Sequence, residues 1–347
     1  KNTFNMKKII IIGAGAMGSA FSVPCIENKN DVTLIGTHLE DELINNIQSN
    51  NNFHPALKTK LPAKLKVEKY DRLKTILEEG ADIIVAGVSS LGIEWFVEQI
   101  SKFYKKKLPI ILLTKGLAIV ENELITLSDK IKKLLKDNGH TEVNVSAIKG
   151  PCLAAGLANK MRTGTVIANY NIKEAQLLKN IVSTNYYSTE MSNDLTGVEL
   201  SGAIKNIYSM LIGASQGLSN SNAPKEIQSK YYLNTSASLI HRSISEMVEF
   251  VSYYGGKADT VYGLAGLGDL YVSVIGGRNS LMGKYLGEGY LYKDAKEKFM
   301  KNITVEGAEL ALEIGPKILA DLNPKHFPLM FSMLNTICEN KKLEIKW

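Results

Sequence analysis

The sequence predicts an α/β fold in which a doubly wound parallel sheet is followed by a helical domain. Three observations support this prediction. Short runs rich in Val and Ile alternate with helix-length segments through the first half, and a glycine-rich turn follows the first of these runs. In the second half the apolar residues recur with the spacing of an α-helix. We place the boundary near residue 194, which gives a dinucleotide-type domain at 1–193 and a helical domain at 194–347.

The first strand leads into the most informative motif of the chain. The run 9–12 is four isoleucines, and Gly13, Gly15 and Gly18 follow it in the pattern GxGxxG, with a helix expected to begin near Ala16. In this context Gly13 makes the turn, the backbone at Gly15 can approach a pyrophosphate, and Gly18 lets the helix lie against the strand. Free N–H groups and the dipole at the helix N-terminus favour an anion there. The motif predicts dinucleotide binding, and the alternative is a glycine-rich turn without a ligand.

The rest of the first domain is predicted to consist of buried strands joined by crossover helices. Further strands are predicted at 31–35, 81–88, 108–113, 143–148, 165–168 and 186–189. Crossover helices are predicted at 94–106 and 121–137. The polar segment 45–65 contains two prolines and is predicted to be irregular.

The second domain is predicted to be all-helical. From residue 194 onward, Leu200, Ile204, Ile207 and Leu211 form one helical stripe, and no long Val/Ile strand recurs. The polar, proline-containing segment 219–230 predicts a surface insertion between two helices.

The composition excludes several classes of function. The chain is 45% apolar and 22% charged, and its net charge of +6 is carried by dispersed lysines. The longest basic run, 105–107, is interpreted as a helix end rather than a nucleic-acid patch. No apolar run reaches the length of a membrane span, so membrane insertion is not expected. Three widely spaced cysteines without CxxC spacing and five scattered histidines predict a reducing, cytoplasmic compartment and no metal site.

Loops at the carboxyl ends of the strands hold the remaining candidates of the first domain, because ligands of open α/β sheets bind there. Lys115 is a lone cation beside a glycine at such a strand end. The alternative interpretation of Lys115 is a solvated loop lysine. Another loop of this kind is Gly150-Pro151-Cys152.

The helical half supplies charged groups next to glycines. Lys205 and Asn206 are neighbours on an amphipathic helix, and Asp269 follows a run too rich in glycine for a regular helix. Arg278 and Asn279 follow two glycines, and a guanidinium suits the recognition of phosphate. Each has an ordinary alternative, such as a lysine that snorkels beside an apolar stripe. Together they supply a lysine, an aspartate, an arginine and two asparagines around a dinucleotide site.

Seven motifs carry a resemblance that spans the chain from about Lys7 to past Gly307. In order, they are GAGAMG, TKG, KGPCLAAG, VELSGAIKN, GLAGLGDL, GGRN and VEG, and the set resembles the NAD(P)-dependent glycerol-3-phosphate dehydrogenases. The resemblance implies an oxidoreductase of glycerophospholipid metabolism that interconverts sn-glycerol 3-phosphate and dihydroxyacetone phosphate with NAD or NADP. It further implies a Rossmann-type domain followed by an all-helical domain, usually paired as a homodimer. The alternatives are a reductase of another small phosphorylated hydroxy or keto compound and a nucleotide-sensing module without chemistry.

The resemblance also implies roles for individual residues. Lys205 is similar to the family's catalytic lysine, which would act as general acid/base together with Asp269 and Lys115. The substrate-binding residues it implies are Lys115, Cys152, Asn206, Ser273, Arg278 and Asn279. The cofactor-binding residues it implies are Gly13, Gly15, Ala16, Met17, Gly18, Thr37, Lys115, Ala154, Arg278 and Glu306. The chemistry agrees, because hydride reduction of a ketone leaves an alkoxide, to which a lysine ammonium can donate a proton.

Three features depart from the family pattern, one of which is the polar insertion after Leu218 that lengthens the gap between Lys205 and Asp269, and the cofactor preference stays open. Cys152 stands where bacterial members commonly have serine, and a thiol is a weaker hydrogen-bond donor. Gly277 precedes Arg278 where many members have serine. An acidic residue at the end of the second strand favours NAD and an arginine favours NADP. The chain has Gly-Thr-His at 36–38, so neither rule applies, and His38 is either a solvated loop histidine or a 2′-phosphate ligand.

Overall fold

The structure is a computed structural model that describes residues 6–222 and 225–346, with side chains described outside 220–231. It contains two compact units. The first runs up to Lys115 and resumes over Leu127–Leu195. The second consists of Gly116–Thr126 and the chain from Thr196 onward.

The strands lie almost entirely in the first unit. In chain order they are β1 (Lys8–Ile12), β2 (Asp31–Ile35), β3 (Phe53–His54), β4 (Thr59–Lys60), β5 (Lys66–Glu68), β6 (Ile83–Ala86), β7 (Pro109–Leu112), β8 (Leu117–Val120), β9 (Glu123–Thr126), β10 (Asn144–Lys149), β11 (Thr163–Ala168) and β12 (Tyr187–Ser192).

The longest helices lie in the second unit. In chain order the helices are α1 (Ala16–Glu27), α2 (Asp41–Ser49), α3 (Leu73–Glu78), α4 (Ile93–Ser101), α5 (Leu127–Asp137), α6 (Ala154–Ala158), α7 (Ile172–Val182), α8 (Leu195–Asn222), α9 (Lys225–Tyr253), α10 (Ala258–Val261), α11 (Asp269–Val274), α12 (Arg278–Gly287), α13 (Tyr292–Phe299), α14 (Glu306–Asp321) and α15 (Pro328–Cys338).

The first unit is built on an eight-stranded sheet in the order β12-β11-β10-β7-β6-β1-β2-β5. All neighbouring strands are parallel except β10 and β11. Both faces of such a sheet are covered by helices, which is why the isoleucines of β1 are fully buried. The chain proceeds outward from β1 first through β2 and later through β6, so the strand order reverses between β1 and β6. This switch point is where open α/β sheets bind their ligands. The prediction of a doubly wound, mainly parallel sheet is confirmed.

The second unit is helical, as predicted, and is organised around α8. Its stripe of Leu200, Ile204, Ile207 and Leu211 is buried in one apolar core. The helix α12 lies directly against α8, because a Cβ on Gly283 would stand 1.8 Å from the Met210 carbonyl oxygen. This backbone contact brings the start of α12 close to the middle of α8.

Four predicted segments differ from the structure. The predicted helix 94–106 ends early, because α4 ends at Ser101, so the basic run 105–107 lies in the connection to β7 rather than at a helix end. The predicted helix 121–137 is wrong at its start, because β8 and β9 form a hairpin and α5 begins only at Leu127. The cause is a two-residue turn in which Glu121 and Asn122 adopt φ of 51° and 64°, a geometry that hairpins favour. Segment 45–65 is less irregular than predicted, since it contains the end of α2 and the hairpin of β3 and β4. Most of 219–230 is helical, whereas positions 223 and 224 of the predicted insertion lie outside the described residues.

The hairpin also makes the two units differ from the predicted ranges 1–193 and 194–347. Leu117, at the start of β8, packs in the apolar core of the helical unit. Burial of its side chain therefore assigns the hairpin to the second unit, although the chain around it belongs to the first.

Candidate active site

The glycine-rich turn after β1 has one open glycine between two constrained ones. Gly13 has φ +108°, and a Cβ there would stand 2.6 Å from the Gly87 carbonyl group. A Cβ on Gly18 would stand 2.2 Å from the Gly13 carbonyl oxygen, so packing requires both glycines. A Cβ on Gly15 would have only Glu40 Oε1 near it, at 3.9 Å. Since α1 also has no acidic residue in its first turn, the space beside Gly15 suits a pyrophosphate.

Two side chains that the sequence reasoning missed hold this turn at Ala14. The Ala14 N–H donates to Glu40 Oε2 at 3.0 Å, and the Thr37 N–H donates to the same oxygen at 2.8 Å. His54, which is buried, lies with Nε2 3.0 Å from the Ala14 carbonyl oxygen. The Leu57 N–H donates to Nδ1 at 3.3 Å, which assigns the proton to Nε2. Thr37, a predicted cofactor residue, is thus tied to the turn through Glu40.

A pocket at the carboxyl ends of β7 and β10 collects further predicted residues. Met17, Lys115 and Cys152 line it, together with Lys149 and Tyr187. Burial raises the pKa of Tyr187, so its hydroxyl stays protonated. The predicted cofactor residue Ala154 is the first residue of α6, which packs against α1.

In the helical unit, Lys205 and Asp269 form a buried ion pair. Lys205 Nζ donates to Asp269 Oδ1 at 2.8 Å, and the two side chains are only 4% and 3% exposed. Lys205 also donates to Ser273 Oγ. Asp269 opens α11 directly after a π-helical turn at Leu264–Gly268. Because a Cβ on Gly266 would stand 2.1 Å from a backbone oxygen, the glycines of this turn allow the tight approach that places the carboxylate.

The other predicted residues of this unit form a hydrogen-bonded chain between α8, α12 and α14. The Gly307 N–H donates to Asn279 Oδ1 at 2.8 Å, and Asn279 Nδ2 donates to Asn206 Oδ1 at 3.1 Å. Asn206 Nδ2 donates to Glu306 Oε2 at 3.2 Å, and Arg278 Nη2 donates to Glu306 Oε1 at 3.3 Å. The side chain of Arg278 is 55% exposed, so the guanidinium can also reach an anion in solution.

Chemically, these arrangements suit proton transfer and anion binding. A buried ammonium that is held by a carboxylate and a hydroxyl is a positioned proton donor. A half-exposed guanidinium at the start of a helix can bind a phosphate bidentately. Within 6–222 and 225–346, no group of three or more His, Cys, Asp or Glu side chains is placed to hold a metal ion. In the same ranges, none of the helices combines the length and hydropathy that crossing a membrane requires.

Comparison with known proteins finds a family that matches most of the chain. The family described as NAD-dependent glycerol-3-phosphate dehydrogenase matches with its N-terminal part at residues 8–175 and with its C-terminal part at residues 194–345. The chain is 32% identical to the NADP(+)-dependent glycerol-3-phosphate dehydrogenase of Archaeoglobus fulgidus, over 97% of this chain and 96% of that protein. It is 31% identical to a glycerol-3-phosphate dehydrogenase [NAD(P)+] of Mesoplasma florum, over 94% and 93% of the two chains. The crystal structure of glycerol-3-phosphate dehydrogenase from Coxiella burnetii superposes with a TM-score of 0.79 at 28% identity, covering 97% and 96%.

Proposed function

Since this chain belongs to the NAD-dependent glycerol-3-phosphate dehydrogenase family, we propose that it interconverts dihydroxyacetone phosphate and sn-glycerol 3-phosphate with NAD or NADP. The observation that carries the proposal is the buried pair of Lys205 and Asp269 in the part that matches the family's C-terminal half. A module that only senses nucleotides has no use for a buried proton donor. The open glycine turn of the first unit supports the dinucleotide as its cofactor.

We assign the proton transfer to Lys205. When bound, the reduced nicotinamide supplies the hydride that converts the ketone to an alkoxide. The Lys205 ammonium polarises the carbonyl and donates the proton, while Asp269 and Ser273 fix the orientation of Nζ. In the oxidative direction, the neutral amine accepts the hydroxyl proton. A well-placed donor of this kind is worth about 3–4 kcal/mol of transition-state stabilisation.

We assign the substrate phosphate to Arg278 and the amides beside it. The guanidinium is paired with Glu306, and a phosphate dianion is a stronger partner for it than a single carboxylate. Asn206 and Asn279 are fixed by the chain of hydrogen bonds that ends at the Gly307 N–H. In the first unit, Lys115 and Cys152 line one pocket, which supports a role for both in holding the substrate.

We also propose that the protein works as a homodimer in the cytoplasm and contributes to glycerophospholipid metabolism. Its described cysteines, Cys25, Cys152 and Cys338, are all free thiols, which fits a reducing compartment. The dimer follows the pairing that is usual in the family. We propose 1–193 as the cofactor domain and 194–347 as the catalytic domain, with the hairpin 117–126 as a segment of the first range that packs with the second unit.

Initial-rate measurements with dihydroxyacetone phosphate and each reduced cofactor in parallel test this function. We expect consumption of NADH or NADPH that requires dihydroxyacetone phosphate, and the ratio of the two rates gives the cofactor preference. A panel of other phosphorylated ketones tests the second candidate, which the replacement of serine by Cys152 favours. Absence of any cofactor consumption with dihydroxyacetone phosphate would contradict the proposal.

A further inference from the structure

Lys149 is a buried lysine that the proposed mechanism does not use. It ends β10 and is 2% exposed, although lysine is rarely buried unless its ammonium is paired or hydrogen-bonded. Its Nζ donates to the Thr114 carbonyl oxygen at 2.6 Å and to the Leu112 carbonyl oxygen at 3.3 Å. Leu112 is the last residue of the neighbouring strand β7, and Thr114 lies two residues beyond it. The ammonium therefore binds the backbone where that strand leads into its loop.

This loop carries Lys115, and its backbone is held by hydrogen bonds at the residue before Lys115. Thr114 is held at its carbonyl by Lys149 and at its hydroxyl, which donates to the Val88 carbonyl oxygen at 2.7 Å. Gly116 follows with φ +148°, a conformation that other residues rarely adopt. The direction in which Lys115 leaves the backbone thus depends on the peptide that Lys149 fixes.

The two lysines also share a pocket. β7 and β10 pair in parallel, with Leu112 opposite Ala147, so the loops that follow them leave the sheet at the same edge. Lys115, Lys149 and Cys152 line the pocket at this edge.

We infer that Lys149 is a positioning residue for Lys115, because its ammonium holds the Thr114 carbonyl and so directs Lys115 toward the phosphorylated substrate. The inference rests on the proposed function, in which Lys115 binds that substrate. Lys149 itself need not touch the substrate or the cofactor for this role.

A double-mutant cycle between Lys149→Met and Lys115→Met tests the inference. Methionine keeps the length of the side chain and removes the charge and the donors. We expect K149M to lower kcat/KM for dihydroxyacetone phosphate about tenfold, which corresponds to about 1.4 kcal/mol. We expect K115M to lower it more, and the double variant to be no worse than K115M alone, since Lys149 acts through Lys115. The control is K66M, which removes an exposed lysine paired with Asp31 and should leave kcat/KM unchanged.

Two results would overturn the inference. One is a K149M enzyme with the kcat/KM of the wild type, and the other is a double variant whose losses are the full product of the single losses. The melting temperature and the far-ultraviolet circular dichroism spectrum show that each variant is folded. If K149M does not fold, K149Q replaces it, and the same lack of additivity with K115M is expected. An inactive wild type would contradict the proposed function, whereas an active wild type with an unaffected K149M would overturn this inference alone.

Discussion

Replacing Lys205 by methionine separates the two roles of the buried ion pair. The change keeps the length of the side chain but removes the ammonium that donates to Asp269 Oδ1 at 2.8 Å. Breaking a buried pair by removing one partner costs about 3–5 kcal/mol of stability. In a domain of this size each kcal/mol lowers the melting temperature by roughly 2–4 °C, so we expect a decrease of roughly 6–20 °C.

The same substitution removes the proposed general acid. Loss of general acid–base catalysis lowers turnover by about 100- to 10,000-fold, and we expect kcat of K205M to fall within that range. The matched variant is K205M/D269N, in which a carboxamide replaces the buried carboxylate. This double variant should regain most of the lost stability, because it no longer buries a charge, but it should regain no turnover.

The assay combines thermal unfolding with initial rates at saturating dihydroxyacetone phosphate and reduced cofactor. A K205M enzyme that keeps its kcat would refute the assignment of the proton donor. So would a double variant in which turnover recovers together with stability, because the loss in K205M would then reflect folding rather than chemistry.

Three further predictions concern the glycine turn and a buried carboxylate. Gly18→Ala should lower the melting temperature, because its Cβ would meet a backbone oxygen at 2.2 Å. Gly15→Ala should fold normally and weaken binding of the reduced cofactor, which fluorescence titration measures. Equal effects of the two variants would contradict the assignment of Gly18 to packing and of Gly15 to the cofactor. Glu40→Ala removes the acceptor of the Ala14 and Thr37 N–H groups. It should raise the dissociation constant of the cofactor about tenfold and leave kcat at saturation unchanged. An unchanged dissociation constant would show that the glycine turn does not need Glu40. Glu246 accepts from the N–H groups of Leu329 and Met330, and burial raises its pKa, so the folded state binds the proton more tightly than the unfolded state. The free energy of unfolding of the wild type should therefore fall relative to that of E246Q as pH rises above about 4.3 and through the raised pKa. Denaturant unfolding at several pH values measures both free energies. A difference between the two proteins that does not change with pH would contradict the prediction.

The sequence was most informative where chemistry and local structure depend on the same few residues. The isoleucine run with its glycines predicted β1, the turn and the start of α1, because a fully buried parallel strand requires a continuous apolar run. The pairing of Lys205 with Asp269 was implied by the resemblance to the dehydrogenase family, whereas the residues alone indicated only a lysine beside an apolar stripe and an aspartate after a glycine-rich run.

The missed features depend on partners far away in the chain. Lys149 binds the carbonyl of Thr114, 35 residues away, and His54 binds that of Ala14, 40 residues away. Every residue has a backbone carbonyl, so no residue type marks these acceptors in the sequence. The hairpin at 117–126 was missed for another reason, since short apolar runs fit a strand and a helix equally well.

The most direct test of hydride transfer follows an isotope from the cofactor into the product. The enzyme is incubated with dihydroxyacetone phosphate and with NADH or NADPH that carries deuterium at the transferable position of the nicotinamide, and the product is analysed by mass spectrometry. We expect sn-glycerol 3-phosphate with one deuterium on its carbinol carbon. Oxidation of the cofactor without deuterium in that product would contradict it.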